Sequence, residues 1–403
     1  MAFITSLTIK NFFSIKDEVT IDFKASPYNI ENNPERLFEF DGKYYNKIIS
    51  FYGANASGKT TILKAITVLA SIVVNEQRDN FPPSFKNKFA RLNSNSELEI
   101  SFVLKNKEYE EYTYFIKFES SKYNNIGIKN EILYKTENSK RKMIFNRVDK
   151  KVTNVDKNIQ DNIFTNLNPK KSLIQEFLKH EKTGSFKNIN YFFVFILRSS
   201  NITLYKTQLS TNISHEKTIG DFIYSKESKV EQFFLNFFQS IEQDIIKVKA
   251  NFIEKDDEEK EFKGIELFHK IKKNEPLAFD FESDGTQMIM KILLDIYIAK
   301  ATNSILIIDK FDSILHPMLV PIIINLLIKN DIQIIYSTHN IYNMQFLQND
   351  EIFLIEKDEK HTTTIKPVKN NPNIKGYKNL LTLYENGDLG GVPNIKEIIT
   401  KIL

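Results

Sequence analysis

Along the first part of the chain apolar and polar positions alternate with a period of two; later the pattern gives way to helical stripes and unbroken apolar runs. Phe3, Leu7 and Ile9, then Val19, Ile21 and Phe23, flank Asn11-Phe12-Phe13-Ser14 and predict a hairpin or short strand pair. Ile48 to Tyr52 reads as a buried strand, and Ile62, Leu63, Ile66, Leu69 and Ala70 fall on one face of a following helix. Period two returns after Phe81-Pro82-Pro83, in Leu98, Ile100, Phe102 and Leu104, then Tyr112, Tyr114, Ile116 and Phe118. Glu131 to Tyr134 and Met143 to Phe145 extend this into a β-rich arm, so residues 1–150 are expected to form one lobe.

From about Lys150 the texture becomes polar and Asn/Lys-rich, with helical patches, and residues 151–275 read as a helical or mixed insertion. Val230, Phe233, Phe234, Phe237, Phe238, Ile241 and Ile245 recur at helical spacing and predict a broad aromatic stripe. Core packing is its first reading, and an arm-to-arm contact the alternative. The charged run Glu254 to Glu261 reads as a solvated turn or tip. Residues 276–403 return to a buried α/β pattern, with strand runs Ser304 to Ile308, Ile332 to Tyr336 and Ile352 to Ile355, and Pro317 opening a helix through Ile328. Strand-helix-strand order implies a parallel sheet, with ligands at the carboxyl ends of its strands.

Candidate chemistry gathers at those ends. Gly53-Ala54-Asn55-Ala56-Ser57-Gly58-Lys59-Thr60-Thr61 joins a strand to a helix and reads as a phosphate-binding loop. Gly53 and Gly58 permit the backbone angles that turn N–H groups inward, Lys59 adds charge for the β- and γ-phosphates, and the Thr60 hydroxyl can ligate Mg²⁺. Ile305 to Ile308 ends in Asp309, a Walker-B candidate for the same metal when paired with such a loop. Ser337-Thr338-His339 ends a neighbouring strand, where the imidazole can contact the γ-phosphate or the attacking water, or be only a hydrogen-bonded surface histidine. Ser283, Gly285 and Thr286 precede an apolar helix from Met288 to Ala299 and suit a phosphate or a helix cap.

Composition narrows the setting. With 403 residues the chain can bury a sizeable core, and with no cysteine it can hold neither disulfides nor a thiolate metal site, which suits a reducing cytoplasm. The longest apolar run, Tyr191 to Leu197, is too short to cross a bilayer, so no membrane association is expected. A net charge of +4 decides nothing about nucleic acid.

Together the loop at 53–60, Ser283-Asp284-Gly285-Thr286, Ile308-Asp309 with Leu315-His316-Pro317, Ser337-Thr338-His339-Asn340 and Asn349-Asp350-Glu351-Ile352 resemble the ABC-type ATPases of the OLD/RecF/SMC kind. More narrowly, the set is similar to the stand-alone bacterial AAA-family ATPases of restriction and abortive-infection loci, the Rlo and AbiL type, to which the ATPase of the PARIS phage-defence system is related. Leu7-Thr8-Ile9-Lys10-Asn11-Phe12 and Tyr384, Gly387 and Gly390-Gly391-Val392-Pro393 also fit, while 150–275 carries no match.

The resemblance implies ATP and Mg²⁺ as cofactors and a P-loop α/β fold of ABC/SMC-head type with a β-rich N-terminal arm and a mainly helical insertion. It makes Ser283, Gly285 and Thr286 a degenerate signature loop that contacts the γ-phosphate of the other subunit, so that ATP would glue a homodimer or higher homo-oligomer. Ser313-Ile314-Leu315-His316 falls at the D-loop, and His339 at the switch histidine. No clear glutamine stands at the Q-loop; Phe85 or a polar neighbour is left for that place, and the second metal ligand stays open.

One position departs from the pattern. Lys310 follows Asp309 where such proteins carry the glutamate that deprotonates the attacking water. A charged lysine has three donors and no acceptor, so ATP binding with slow or absent hydrolysis is expected. A substitution made to trap the ATP state, a natural loss of hydrolysis, and relief by another base such as Asp312 are the three accounts of it.

The expected function is a cytosolic ATP-binding sensor or scaffold of an anti-phage system. The chain stops soon after the ATPase core, so toxic chemistry is expected from a separate effector of the Toprim-nuclease kind, with a phage protein as a possible trigger. The rival is a RecF-type DNA-repair or clamp ATPase that binds duplex DNA, which a steep salt dependence of DNA binding would mark.

Overall fold

A computed structural model describes residues 2–74, 84–90, 94–105, 108–120, 126–155, 167–178, 184–199, 227–241, 244–254, 260–272, 275–277, 281–311, 315–374 and 380–390. The three apolar runs of the last third and the run before the phosphate loop lie side by side. Their sheet has the order Leu306–Ile308, Ile334–Ser337, Ile48–Tyr52, Ile352–Lys357, Thr363–Pro367, with the first four strands parallel and the last antiparallel at the edge. Every residue of Ile48–Tyr52 is buried, as a central parallel strand covered on both faces requires. The helix between the first two of these strands runs Leu319–Lys329, so Pro317 lies upstream of it and Pro321 sits in its first turn. A proline costs little in either place, because the first-turn N–H groups have no partner within a helix.

The period-two stretches form one seven-stranded antiparallel sheet, ordered Lys151–Val155, Lys140–Val148, Ile126–Glu137, Tyr109–Ser120, Ser96–Lys105, Ala2–Lys10, Val19–Asp22. The hairpin read from the first residues is there, with Leu7 opposite Ile21 and Ile9 opposite Val19. Between the two sheets runs the helix Lys59–Val74, which touches strands of both. It is buried nearly all round, with Ala65, Val68 and Ile72 covered as well as Ile62, Ile66 and Leu69, because each sheet takes one side.

The chain folds into two compact units: 1–208 with 302–313 and 317–403, and 209–301 with 314–316. The expected boundaries at 150 and 275 do not coincide with this division. The strand Lys151–Val155 continues the seven-stranded sheet, and the helices Leu173–Leu178 and Ser185–Ser199 bury Leu173, Phe177, Phe192, Phe193 and Ile196 in the first unit's core. Phe192 stacks on Phe102 of that sheet at 4.9 Å between ring centroids. Aromatic side chains from an apolar run set in polar surroundings thus cover a sheet face that needs them.

In the second unit the helix Glu227–Ile241 buries Val230, Phe234, Phe237 and Phe238 and packs on the hairpin Ile245–Glu254 with Lys260–His269. The stripe is core, as its first reading held, although Ile245 belongs to the strand and not to the helix. Glu254 pairs with Lys260 across this hairpin, and its tip lies outside the described residues.

Candidate functional site

The phosphate loop leaves the carboxyl end of the central strand and enters Lys59–Val74 directly. Gly53 holds φ +152° and Gly58 φ +119°, and a Cβ at either would strike a neighbour, the Ile355 carbonyl at Gly53 and the Thr363 side chain at Gly58. Only glycine fits both the angle and the space. The first turn of the helix carries no acidic residue, so its positive end is left for an anion. Asn55 and Ala56 are exposed at the tip.

Lys59 is buried and donates to the carbonyls of Gly53 at 2.8 Å and Ala54 at 2.9 Å. Burial, reinforced by the charge of Lys310 and opposed by Asp309, lowers its pKa to about 8. The ammonium thus clamps its own loop, from which phosphate oxygens can take it over.

Register explains how Asp309 reaches this loop across the sequence. Ile308 pairs with Tyr336, so Asp309 comes beside Ser337, which in turn pairs with Phe51 of the central strand. Thr60 Oγ1 donates to Asp309 Oδ2 at 2.9 Å, and the Ser337 hydroxyl donates to Asp309 Oδ1. Ser337 Oγ also accepts the Lys310 N–H at 2.9 Å, and Phe311 N donates to the Ser337 carbonyl at 3.1 Å. Lys310 itself is exposed, in the left-handed region at φ +55°. His339, exposed at the end of the adjacent strand, has its pKa lowered by partial burial and then by the positive charges of Lys59 and Lys310. The structure therefore brings Lys59, Thr60, Asp309, Lys310 and His339 together at the carboxyl ends of three neighbouring parallel strands, the edge at which the site lies.

Two sets of residues at this edge had no role assigned from sequence. Ser337 was visible as a hydroxyl beside His339, but its hold on both Asp309 and Lys310 depends on strand register. Ser14, Thr61 and Thr363 form a hydroxyl brace: Thr363 Oγ1 donates to the Ser57 carbonyl at 2.8 Å, Ser14 Oγ lies in hydrogen-bond contact with Thr363 Oγ1 at 2.8 Å, and Ser14 and Thr61 share a hydrogen bond at 3.0 Å between their hydroxyl oxygens. Generic hydroxyls spread over both ends of the chain give no sequence signal.

Phe85 does not take the Q-loop place. It is buried against Phe12, Phe13 and Phe118 and has no donor or acceptor on its ring. Its polar neighbour Asn87 spends its side chain on the Phe13 carbonyl and the Phe89 N–H. Asp312, Ser313 and Ile314 lie outside the described residues, while Leu315 is buried and His316 exposed.

The Ser283–Thr286 stretch belongs to the second unit. Ser283 Oγ accepts the Thr286 N–H at 3.1 Å and shares a hydrogen bond with Thr286 Oγ1 at 2.8 Å, which caps the helix Asp284–Thr302. Ser283 and Asp284 are exposed and Thr286 is buried. A cap and an anion site use the same geometry, so the local fold accommodates both readings.

A nucleotide with Mg²⁺ fits the first unit's edge on its own geometry. The Ser57 hydroxyl is buried and finds no hydrogen-bond partner among the described residues, the two glycines keep the loop free of side chains, and a hydroxyl and a carboxylate meet where a hard cation needs oxygen.

Comparison with known proteins gives the family and the fold. A family described as "AAA domain, putative AbiEii toxin, Type IV TA system" matches residues 48–344. No curated protein matches. Among solved structures, an SmcHead bound to the C-winged helix domain of ScpA is similar at 13% identity and TM-score 0.50, covering 90% of this chain and 97% of that one. An SMC head domain from Thermotoga maritima follows at 14% identity and TM-score 0.42, covering 90% and 98%. The recombination mediator protein RecF-ATPrS of the RecFOR pathway matches at 12% identity and TM-score 0.42, covering 90% and 98%. The fold is that of an ABC-type SMC head, and the chain belongs to the AAA family of the AbiEii description.

Proposed function

We propose that this member of the AAA family is an ATP-dependent assembly switch of an anti-phage defence system, one that holds its ATP state and controls a separate effector. The supporting observation is the 2.9 Å hydrogen bond from Thr60 to Asp309, which joins the phosphate loop to a carboxylate 249 residues away. Lys59 and the loop amides would bind phosphate oxygens, and Thr60 and Asp309 would hold Mg²⁺, which when bound draws charge from the transferring phosphoryl group. His339, its pKa lowered, is neutral at neutral pH and can donate or accept one hydrogen bond without adding charge.

Lys310 decides the rate in this reading. Its ammonium offers donors only, so it can hold an anion at the strand end but cannot take a proton from water. Ser283, Gly285 and Thr286 would meet the nucleotide of a second copy, making assembly depend on ATP, and the toxic chemistry would belong to a partner of the Toprim-nuclease kind. Titration calorimetry of Lys59→Ala with ATP and Mg²⁺ tests the first step: nucleotide binding is expected to be lost with the fold intact, and unchanged affinity would remove the phosphate-loop assignment.

A further inference from the structure

The second unit contains an ionisable cluster that the nucleotide chemistry does not use. His269 ends the strand Lys260–His269, and its ring is bracketed by two carboxylates: Nδ1 lies 3.0 Å from Asp244 Oδ2 and Nε2 lies 3.0 Å from Glu282 Oε1. Asp244 immediately precedes the paired strand, and its side chain is 53% exposed. Glu282 immediately precedes the capped turn Ser283–Thr286, and its side chain is only 6% exposed. Its backbone carbonyl is tied to the same turn, accepting a hydrogen bond from Gln287 Nε2 at 3.1 Å.

A carboxylate this buried needs a countercharge, and His269 faces it directly. We infer that His269 is a positioning residue for the Ser283–Thr286 turn: in its protonated form it holds Glu282 and so fixes the start of the helix that presents Ser283. Because that turn is the one assigned to a second copy's nucleotide, the inference rests on the assembly reading above. Among the described residues, the other charges near the ring are Lys270, the residue after the strand's end, which acts on Asp244, and Lys247 on the paired strand, which lies over the Phe268 ring at 4.9 Å. Among the described residues, His269 in its protonated form is thus the cation paired with Glu282.

The two carboxylates raise the His269 pKa above its ordinary 6.5 against the opposing effect of burial, and the same contact lowers that of Asp244. A folded pKa raised above the unfolded one stabilises the clamp fully below the unfolded value and loses that contribution as pH rises through the folded value. Neutral imidazole has one donor for two carboxylates, so Asp244 can turn to water while buried Glu282 loses its countercharge. The turn should therefore loosen on the alkaline side.

The experiment is hydrogen exchange with mass spectrometry on the full chain, at about pH 6 and about pH 8.5, corrected for the intrinsic pH dependence of exchange. Protection of the peptide spanning Ser283 to Gln287 should fall about fivefold in the parent, the difference between a hydrogen bond with both partners charged and one in which only the carboxylate is. His269→Gln keeps a donor for Glu282 without the titration, and its corrected protection should not change with pH. The same pH dependence in parent and variant, or none in the parent, would overturn the inference. ATP-dependent association measured by sedimentation separates it from the assembly reading: if Ser283→Arg leaves association intact, the signature role fails while the exchange result stands on its own.

Discussion

Replacing Lys310 by glutamate reverses the one charge that sets this site apart. Both side chains carry a Cβ, so the left-handed backbone at φ +55° costs the same in each, and the exposed position disturbs no packing. The Lys310 N–H keeps its bond to Ser337 Oγ, since only the side chain changes. A positioned general base typically contributes about 10² to 10⁴ in rate. Here the group stands in water, where a glutamate keeps an ordinary and weakly basic pKa, which argues for the lower end; at least about tenfold faster steady-state turnover is the expected floor. The change also removes a positive charge that lowers the His339 and Lys59 pKa values, so both should titrate higher. Phosphate release at saturating ATP and Mg²⁺ gives the rate, with His339→Ala in the glutamate background as a control for site identity, and an NMR titration of the His339 ring gives the charge effect. Equal rates with a shifted His339 would place residue 310 beside the site but not in the catalytic role. Equal rates with an unmoved His339 would refute the arrangement itself.

Two further outcomes follow from the same edge. Ser337→Ala removes the buried donor to Asp309 and the acceptor of Lys310 N–H, and should cost about 1.5 to 3 kcal/mol of stability in urea unfolding, the range for a hydrogen bond to a charged group; Ser337→Thr should recover most of it, and a loss indistinguishable from zero in the alanine form would contradict the bond. Lys59 gives effects of opposite sign with pH: its folded pKa of about 8 lies below the unfolded 10.5, so stability without nucleotide should rise between those values, whereas ATP affinity, which needs the charged form, should fall as pH passes about 8. Lys59→Met should flatten the stability change, and a parent whose ATP affinity is level across that window would show that the charge of Lys59 is not used.

How much was legible in the sequence follows from which interactions are local. Gly53, Gly58, Lys59 and Thr60 are spaced along one strand-loop-helix, so backbone angle and side-chain chemistry announce the site without any distant residue, and the apolar runs before Asp309 and His339 announce buried parallel strands. The alternation at 98–104 and 112–118 likewise fixes which side of a strand is covered. The partner across a sheet is not local. That Ser337 falls beside Asp309 is a matter of register between strands, and the Thr363 brace comes from the far end of the chain. The helices at 173–178 and 185–199 read as part of an insertion because their surroundings are polar, yet the seven-stranded sheet had an apolar face to cover and only tertiary packing could draw them to it. His269 carried no motif at all: it acquired two carboxylates because a hairpin end and a helix start were folded together, and the free energy of that meeting exists only once both are in place.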